Sequence, residues 1–179
     1  MKRSVLLFLL FAAPAVHARD LRQLGAHVHG QATVDLAVDQ GTLELALQAP
    51  GIGIIDFERP PANATEQAAL DAALATLKRG DWLTLPTAAQ CTPLKRDARA
   101  EGFAAAASAS ASTPAKHTHA GLNAELRYQC ANPAALRVLM LALPKAFPNL
   151  HEVIVNSATA GGQSRTVLTA DNLRVVLAP

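Results

Sequence analysis

Residues Gln31 to Val38 read QATVDLAV, Asp39-Gln40-Gly41 follow, and Thr42 to Gln48 read TLELALQ. In the first run Val34, Leu36 and Val38 alternate with Thr33, Asp35 and Ala37. In the second, Leu43, Leu45 and Leu47 alternate with Thr42, Glu44, Ala46 and Gln48. A period of two puts one apolar and one polar face on an extended chain, so each run is a half-buried strand. Gly41 is free to take the positive φ that a tight turn needs. The two runs therefore form a hairpin, and that hairpin decides the fold class.

Outward from it, Pro50 to Gly53 break the strand pattern. Pro60-Pro61 then forbid helix just before them. Thr65 to Arg79 is the clear helix: Asn63 or Thr65 can cap it, Glu66 sits in its first turn, and Lys78 and Arg79 sit in its last. Leu70, Leu74 and Leu77, padded by Ala73, give it an apolar stripe, and Gly80 stops it. A strand-like patch lies near Trp82 to Leu85. Alternation returns from Leu122 to Cys130, with Leu122, Ala124, Leu126 and Tyr128 against Asn123, Glu125, Arg127 and Gln129. Leu136 to Leu143 is continuously apolar, where periodicity does not separate strand from helix; strand is the preferred reading. Leu150 to Val155 and Arg165 to Thr169 read as strands around the turn at Gly161-Gly162, and Leu173 to Leu177 as a last edge strand. The whole is an α+β fold, mostly antiparallel sheet with one main helix. Each half of the chain opens on a strand pair, the outline of a loose internal duplication.

The first 18 residues are a different material. Met1-Lys2-Arg3 is a short positive start, Val5 to Phe11 is apolar, and Val16-His17-Ala18 carries small residues at the −3 and −1 positions. That is the layout of a cleaved signal peptide, residues 1–18. The apolar run is too short for a bilayer, which takes about 20 residues. What remains, residues 19–179, reads as a single exported α+β domain with no membrane span. Its one inserted-looking segment, 102–116, begins with the Ala/Ser-rich run GFAAAASASASTP and reads as a mobile loop. The full chain has 179 residues and a formal charge of +2. Loss of Lys2 and Arg3 leaves 14 basic against 14 acidic residues. A neutral domain lacks the basic excess of a nucleic-acid binder.

Export places Cys91 and Cys130, the only cysteines left to pair, in an oxidising compartment, where they read as a disulfide. The alternatives are a catalytic thiol and a thiolate ligand, but neither Cys lies in a C-x-x-C or beside a His. Five histidines remain after cleavage, and four form two H-x-H pairs: His27-Val28-His29 and His117-Thr118-His119. The fifth is His151. A two-residue spacing puts both imidazoles on one face of an extended chain, ~6.6 Å apart along it. Imidazoles so placed converge on a metal ion through bonds of about 2.0–2.1 Å. By parity His27 and His29 lie with Thr33 and Asp35, and His117 and His119 with Asn123 and Glu125, if the chain stays extended through Gly30 and Gly121. The pairs meet if their strands are neighbours. Glu125 and His151 are weaker candidate ligands. No G-x-S-x-G, H-E-x-x-H or phosphate loop is present.

The run His27-Val28-His29-Gly30-Gln31-Ala32, the hairpin, and then Phe57-Glu58-Arg59-Pro60 resemble the periplasmic zinc-regulated ZrgA-like proteins. The likeness continues through the helix and Cys91 and resumes at His119, Tyr128, the Cys130-to-Leu136 stretch, Phe147-Pro148 and Gly162-Gln163, nearly the whole mature chain. It implies a periplasmic zinc-binding protein that assists zinc acquisition beside the binding component of a zinc ABC importer. The metal residues it implies are His27, His29 and His119, with His117 as a neighbour. Such proteins often carry a long His/Asp/Glu-rich loop before the Tyr-containing strand. Here an Ala/Ser tract stands in its place, which favours one structured site over multi-ion buffering.

The primary expectation is a zinc-binding protein that is not an enzyme. Imidazole serves copper and nickel as well. A zinc hydrolase with an open coordination position and Glu125 as its base is one alternative. A non-metal adaptor docking on a transporter component is the other.

Overall fold

The computed structural model describes residues 28–103 and 120–178. The expected signal peptide lies outside these residues. So does the Ala/Ser tract, apart from its first residues Gly102 and Phe103.

The chain opens on β1 (Gln31–Asp39) and β2 (Thr42–Pro50), paired antiparallel from Thr33 opposite Gln48 to Asp39 opposite Thr42. This is the expected hairpin. Both residues of its turn, Gln40 at φ 46° and Gly41 at φ 82°, are left-handed, which matches the twist of the flanking strands. Two helices follow, α1 (Gly51–Ile55) and α2 (Ala64–Arg79). After them come β3 (Leu83–Thr84), β4 (Cys91–Glu101), β5 (Gly121–Cys130), β6 (Val138–Leu141), α3 (Leu143–Ala146), β7 (Glu152–Thr159), β8 (Gly162–Leu168) and β9 (Arg174–Val176).

Six strands form one sheet in the order β4-β5-β2-β1-β7-β8, and β3-β6-β9 form a second, smaller sheet. The large sheet is three antiparallel pairs laid side by side. One junction between pairs is parallel: β1 runs alongside β7, with Gln31 opposite Glu152 and Ala37 opposite Ala158. Strands β1, β5 and β7 consequently all run the same way, with β2, β4 and β8 opposed. The architecture is α+β, mainly antiparallel, with one main helix, as expected.

Alternation decides which face is buried. Val34, Leu36, Leu43, Leu45, Leu47, Leu122, Leu126, Val153 and Val155 all point inward and are almost fully buried. At about 1.5–3 kcal/mol for each such side chain, a one-residue slip of a strand would expose its whole inward set. The core is closed by Leu70, Ala73 and Leu77 of α2, by Trp82, and by Leu139, Leu141 and Val175 of the small sheet. The Trp82 indole N–H donates to the Leu77 carbonyl at 3.1 Å, so the helix end and the start of the small sheet are tied together. Leu136 to Leu143 resolves into a four-residue strand, β6, between a 3-10 turn at Pro133–Ala135 and the short α3.

Helix α2 is capped by Asn63, whose side-chain oxygen accepts the Glu66 N–H at 2.9 Å. The Glu66 carboxylate accepts the Ala62 N–H at 2.7 Å and a two-pronged pair from Arg59 at 2.6 and 2.8 Å. The Arg59 guanidinium lies 5.3 Å from the centre of the Phe57 ring, which packs edge-on to Phe103. The Phe57-to-Pro61 step is thus the helix-entry turn with an aromatic plug beneath it. The Arg59 hydrogen bonds, helped by that from Ala62, hold the Glu66 carboxyl well below its ordinary value of 4.5, at about 2.

Two elements depart from the sequence reading. Strand β4 carries CTPLKRDARAE, with no apolar alternation, yet it is eleven residues long. Within the sheet it pairs only with β5, so its other edge needs no apolar partner. Its Pro93, the register shift between Pro93 and Lys95, and its charges are the devices that discourage an edge from recruiting another chain. The second is α1, five residues of helix where a simple break was expected.

Cys91 faces Cys130 across the β4–β5 ladder and is bonded to it, as expected. Their separation of 39 residues makes the chain-entropy contribution ~4 kcal/mol. The Cys91→Ala/Cys130→Ala variant should lose stability on that order in urea unfolding of the oxidised proteins; a loss below ~1 kcal/mol would contradict it. Glu66 supplies a pH test. Its folded-state value is depressed, so its contribution is full above about pH 4.5 and disappears as pH falls towards 2. The stability gap between the wild type and Glu66→Gln should be constant from pH 5 to 7 and narrow below pH 4.5. A gap that persists undiminished at pH 2 would assign it to another cause.

Candidate metal site at the strand entries

One end of the large sheet gathers the starts of β1, β5 and β7. Along this end lie Glu101, Gly121, Pro50, Gln31 and Glu152, each on the strand next to the last. A histidine stands just before each of the three parallel entries: His29 before β1, His119 before β5, and His151 before β7. Strands β1 and β5 are not neighbours, because β2 runs between them. Their entries are therefore two strand spacings apart, about 9.6 Å. Of the expected ligands, His29, Glu125 and His151 are described, and His27, His117 and His119 lie outside the described residues.

Gly30 holds His151 against the turn that leads into β1. Gly30 has φ 75°, and the Gln31 N–H donates to the Val28 carbonyl at 3.1 Å, so the chain turns into β1. The extended geometry assumed for His27 and His29 stops at this turn, and strand parity does not carry across it. At Gly121 the strand does continue from β5's first residue, and the Ala120 carbonyl accepts the Gly51 N–H at 3.0 Å. The Gly30 carbonyl accepts two N–H groups, from His151 at 2.8 Å and Glu152 at 3.1 Å. A side chain at position 30 would meet the His151 ring at 2.7 Å and the Asn149 carbonyl at 3.2 Å. The absence of a Cβ is what lets the His151 ring lie against the chain one residue from His29. Both imidazoles are on exposed residues.

A polar support stands behind this pair. Asn149 donates from its side-chain nitrogen to the Asp56 carboxylate at 2.6 Å. Asp56 caps the C-terminus of α1 with φ 66°, a conformation an L-residue other than Gly, Asn or Asp rarely takes. Gly53 of the same helix packs so that an added Cβ would meet Leu150 at 2.8 Å. Beside them Gln31 donates to Glu152 at 3.1 Å. Nothing in the sequence singled out Asp56 or Asn149; the only signal was Asn149's place two residues before a histidine.

Glu125 is elsewhere. It lies four residues into β5, about 13 Å from the strand entry. It lines a trough of about 1030 Å³ on the sheet's outer face, with Asp35, Glu44, Lys95, Arg127 and Arg165. Its carboxylate binds Lys95 at 2.5 Å and Arg99 at 3.3 Å, and the Lys95 hydrogen bond holds its pKa below the ordinary carboxylate value. Glu44 is paired with Arg127 in the same trough. Among the described residues no three His, Cys, Asp or Glu side chains form a metal-sized group. The candidate donors among the described residues are the exposed His29 and His151.

Gly30 is the position to test. Gly30→Ala should cost ~1–2 kcal/mol for the left-handed backbone alone, read by denaturant unfolding. It should also displace the His151 ring, read as a changed Cδ2–H chemical shift. An unshifted ring signal would remove Gly30 from the account.

No curated protein matches the chain. Among the described residues no helix is long and apolar enough to cross a membrane. Residues 26–177 match the family model described as ZrgA family zinc uptake protein. That span takes in every element of both sheets and all five histidines that follow residue 18. The family is one of zinc uptake proteins and not of enzymes, and the chain belongs to it.

Proposed function

We propose that the protein is exported to the periplasm through a cleaved signal peptide and binds zinc there to assist its acquisition. The ion is held through the His27/His29 and His117/His119 pairs, with His151 as a further donor. The zinc is cargo, handed on to the periplasmic binding component of a zinc ABC importer. The observation that carries this reading is the common direction of β1, β5 and β7, whose histidine-preceded entries open on one end of the sheet. Two further facts support it. His119 is joined by a peptide bond to Ala120, whose carbonyl is fixed on Gly51. Entries about 9.6 Å apart are within reach of two imidazole arms that each end in a metal bond of about 2 Å. The family's zinc uptake role supports zinc over copper and nickel, which imidazole alone would not distinguish.

A metal takes the neutral form of an imidazole, so zinc binding competes with protons and weakens as the pH is lowered. Calorimetric titration of the metal-free mature protein with Zn²⁺ at pH 7.5 should show a Kd below ~10 μM. It should weaken at least tenfold in the His27→Ala/His29→Ala variant and again in the wild type at pH 5.5. Binding that is unchanged by the double substitution, or is indifferent to pH across that range, would sink the assignment.

A further inference from the structure

The described end of the sheet contains an interaction that neither the family nor the histidine pattern requires. Asp56 sits 93 residues before Asn149 in sequence, yet its carboxylate takes the Asn149 side-chain N–H at 2.6 Å. Asn149 begins the three-residue step that ends at His151. The Leu150 N–H donates to the Phe147 carbonyl at 2.9 Å, and Leu150 is fully buried against α1 at Gly53. His151 then binds the Gly30 carbonyl through its own N–H. The backbone of this step is thus held at three successive residues: Asn149 by Asp56, Leu150 by α1, and His151 by Gly30.

Asp56 adopts a left-handed conformation with a side chain in place, which is less favourable for an L-residue than the right-handed region. Glycine at this position would remove that cost. Left-handed non-glycine residues persist where the surrounding structure over-determines them, and such residues gather at functional sites. What the carboxylate adds here is the charge-assisted hydrogen bond to Asn149. Among the described residues, this hydrogen bond is what an aspartate supplies at a helix stop that glycine would otherwise serve.

We propose that Asp56 is a positioning residue for zinc binding: through Asn149 it fixes the 149–151 step so that the His151 imidazole stays against Gly30, which follows His29 in the chain. This rests on the zinc reading above and names a residue that controls it. A group one hydrogen bond behind a metal-ligating histidine typically sets affinity by 10–100-fold when removed. Asp56 would act one step further out, through the backbone and not through the imidazole N–H, so about tenfold is the expected size.

The test uses the mature chain with Asp56→Gly, Asp56→Asn, His151→Ala and the Asp56→Gly/His151→Ala double variant. Glycine keeps the left-handed backbone, so the α1 stop survives while the carboxylate is lost. Asparagine keeps an oxygen able to accept from Asn149. Two measurements are made. Amide hydrogen exchange on the metal-free proteins should rise several-fold at His151 and Glu152 in Asp56→Gly, with no change at Leu45 or Leu126 in the middle of the sheet. Zinc titration should show about tenfold weaker binding in Asp56→Gly and near wild-type binding in Asp56→Asn. In the His151→Ala background the Asp56→Gly change should cause no further loss.

Unchanged exchange at His151 and Glu152 would overturn the proposal, as would equal losses from Asp56→Gly with and without His151. Zinc binding in the wild type that Asp56→Gly leaves intact would overturn this role alone. A wild type that binds no zinc would overturn the zinc reading and this role with it.

Discussion

The parallel pairing of β1 with β7 is the constraint on which the rest of the molecule depends. It joins two hairpins 121 residues apart at the Gln31–Glu152 register. Without it the chain would still form a β1–β2–β5 sheet, but β7 and β8 would have no place on it and His151 would have no fixed relation to His29. The pairing starts at one carbonyl, that of Gly30, which takes two N–H donors at once. That arrangement needs a chain that turns sharply into β1 and carries no side chain where the His151 ring lies. Gly30 meets both conditions, the first through its positive φ and the second through its missing Cβ. Fold and candidate site therefore hang on the same residue.

The two ends of the sheet are held by different means. At the far end Cys91 and Cys130 close the β4–β5 ladder covalently, and the Cys130 N–H donates to Gly41 in the β1–β2 turn at 2.8 Å. The disulfide spans the whole Ala/Ser tract, so β4 and β5 keep their register without help from the chain that connects them. At the histidine end no disulfide joins the described strands. The supports there are hydrogen bonds, packing on α1 and the Asp56–Asn149 pair. The covalent closure thus lies at the end of the sheet away from His29 and His151.

Much of the fold was legible in the sequence because burial is written as alternation. Val34 to Leu47 and Leu122 to Cys130 show a period of two, and the structure buries those very positions. Helix α2 was legible through its cap, stripe and glycine stop. Strand β4 was not legible, since an edge strand made of Lys95, Arg96, Asp97 and Arg99 owes its state to its partner and not to its own pattern. Pairing order was not legible either. Alternation says which face is buried but not which strand is adjacent, so β2 between β1 and β5 came only from the structure. At the site the histidines were visible as residues, whereas parity broke at the left-handed Gly30. The contact between His151 and Gly30 depends on a pairing across more than a hundred residues, which no local pattern encodes.

The electrostatics of the outer face bear on what kind of chemistry this sheet can do. A hydrolytic zinc centre needs a carboxylate whose pKa is raised towards neutrality so that it can take a proton from water. Glu125, the carboxylate best placed by parity for that task, is driven the other way by Lys95 and Arg99. It also lies about 13 Å along β5 from the strand entries. Glu44 is bound to Arg127 on the same face, and Asp35 accepts from Asn156 at 2.9 Å. The three carboxylates of the trough thus each have a fixed partner: Glu125 has Lys95 and Arg99, Glu44 has Arg127, and Asp35 has Asn156. The strand-entry end offers a different setting, where His29 and His151 are exposed and neither ring is engaged with these carboxylates. On the proposed zinc reading, a centre that hands its ion on is better served by such exposed ligands than by a buried, fully satisfied site.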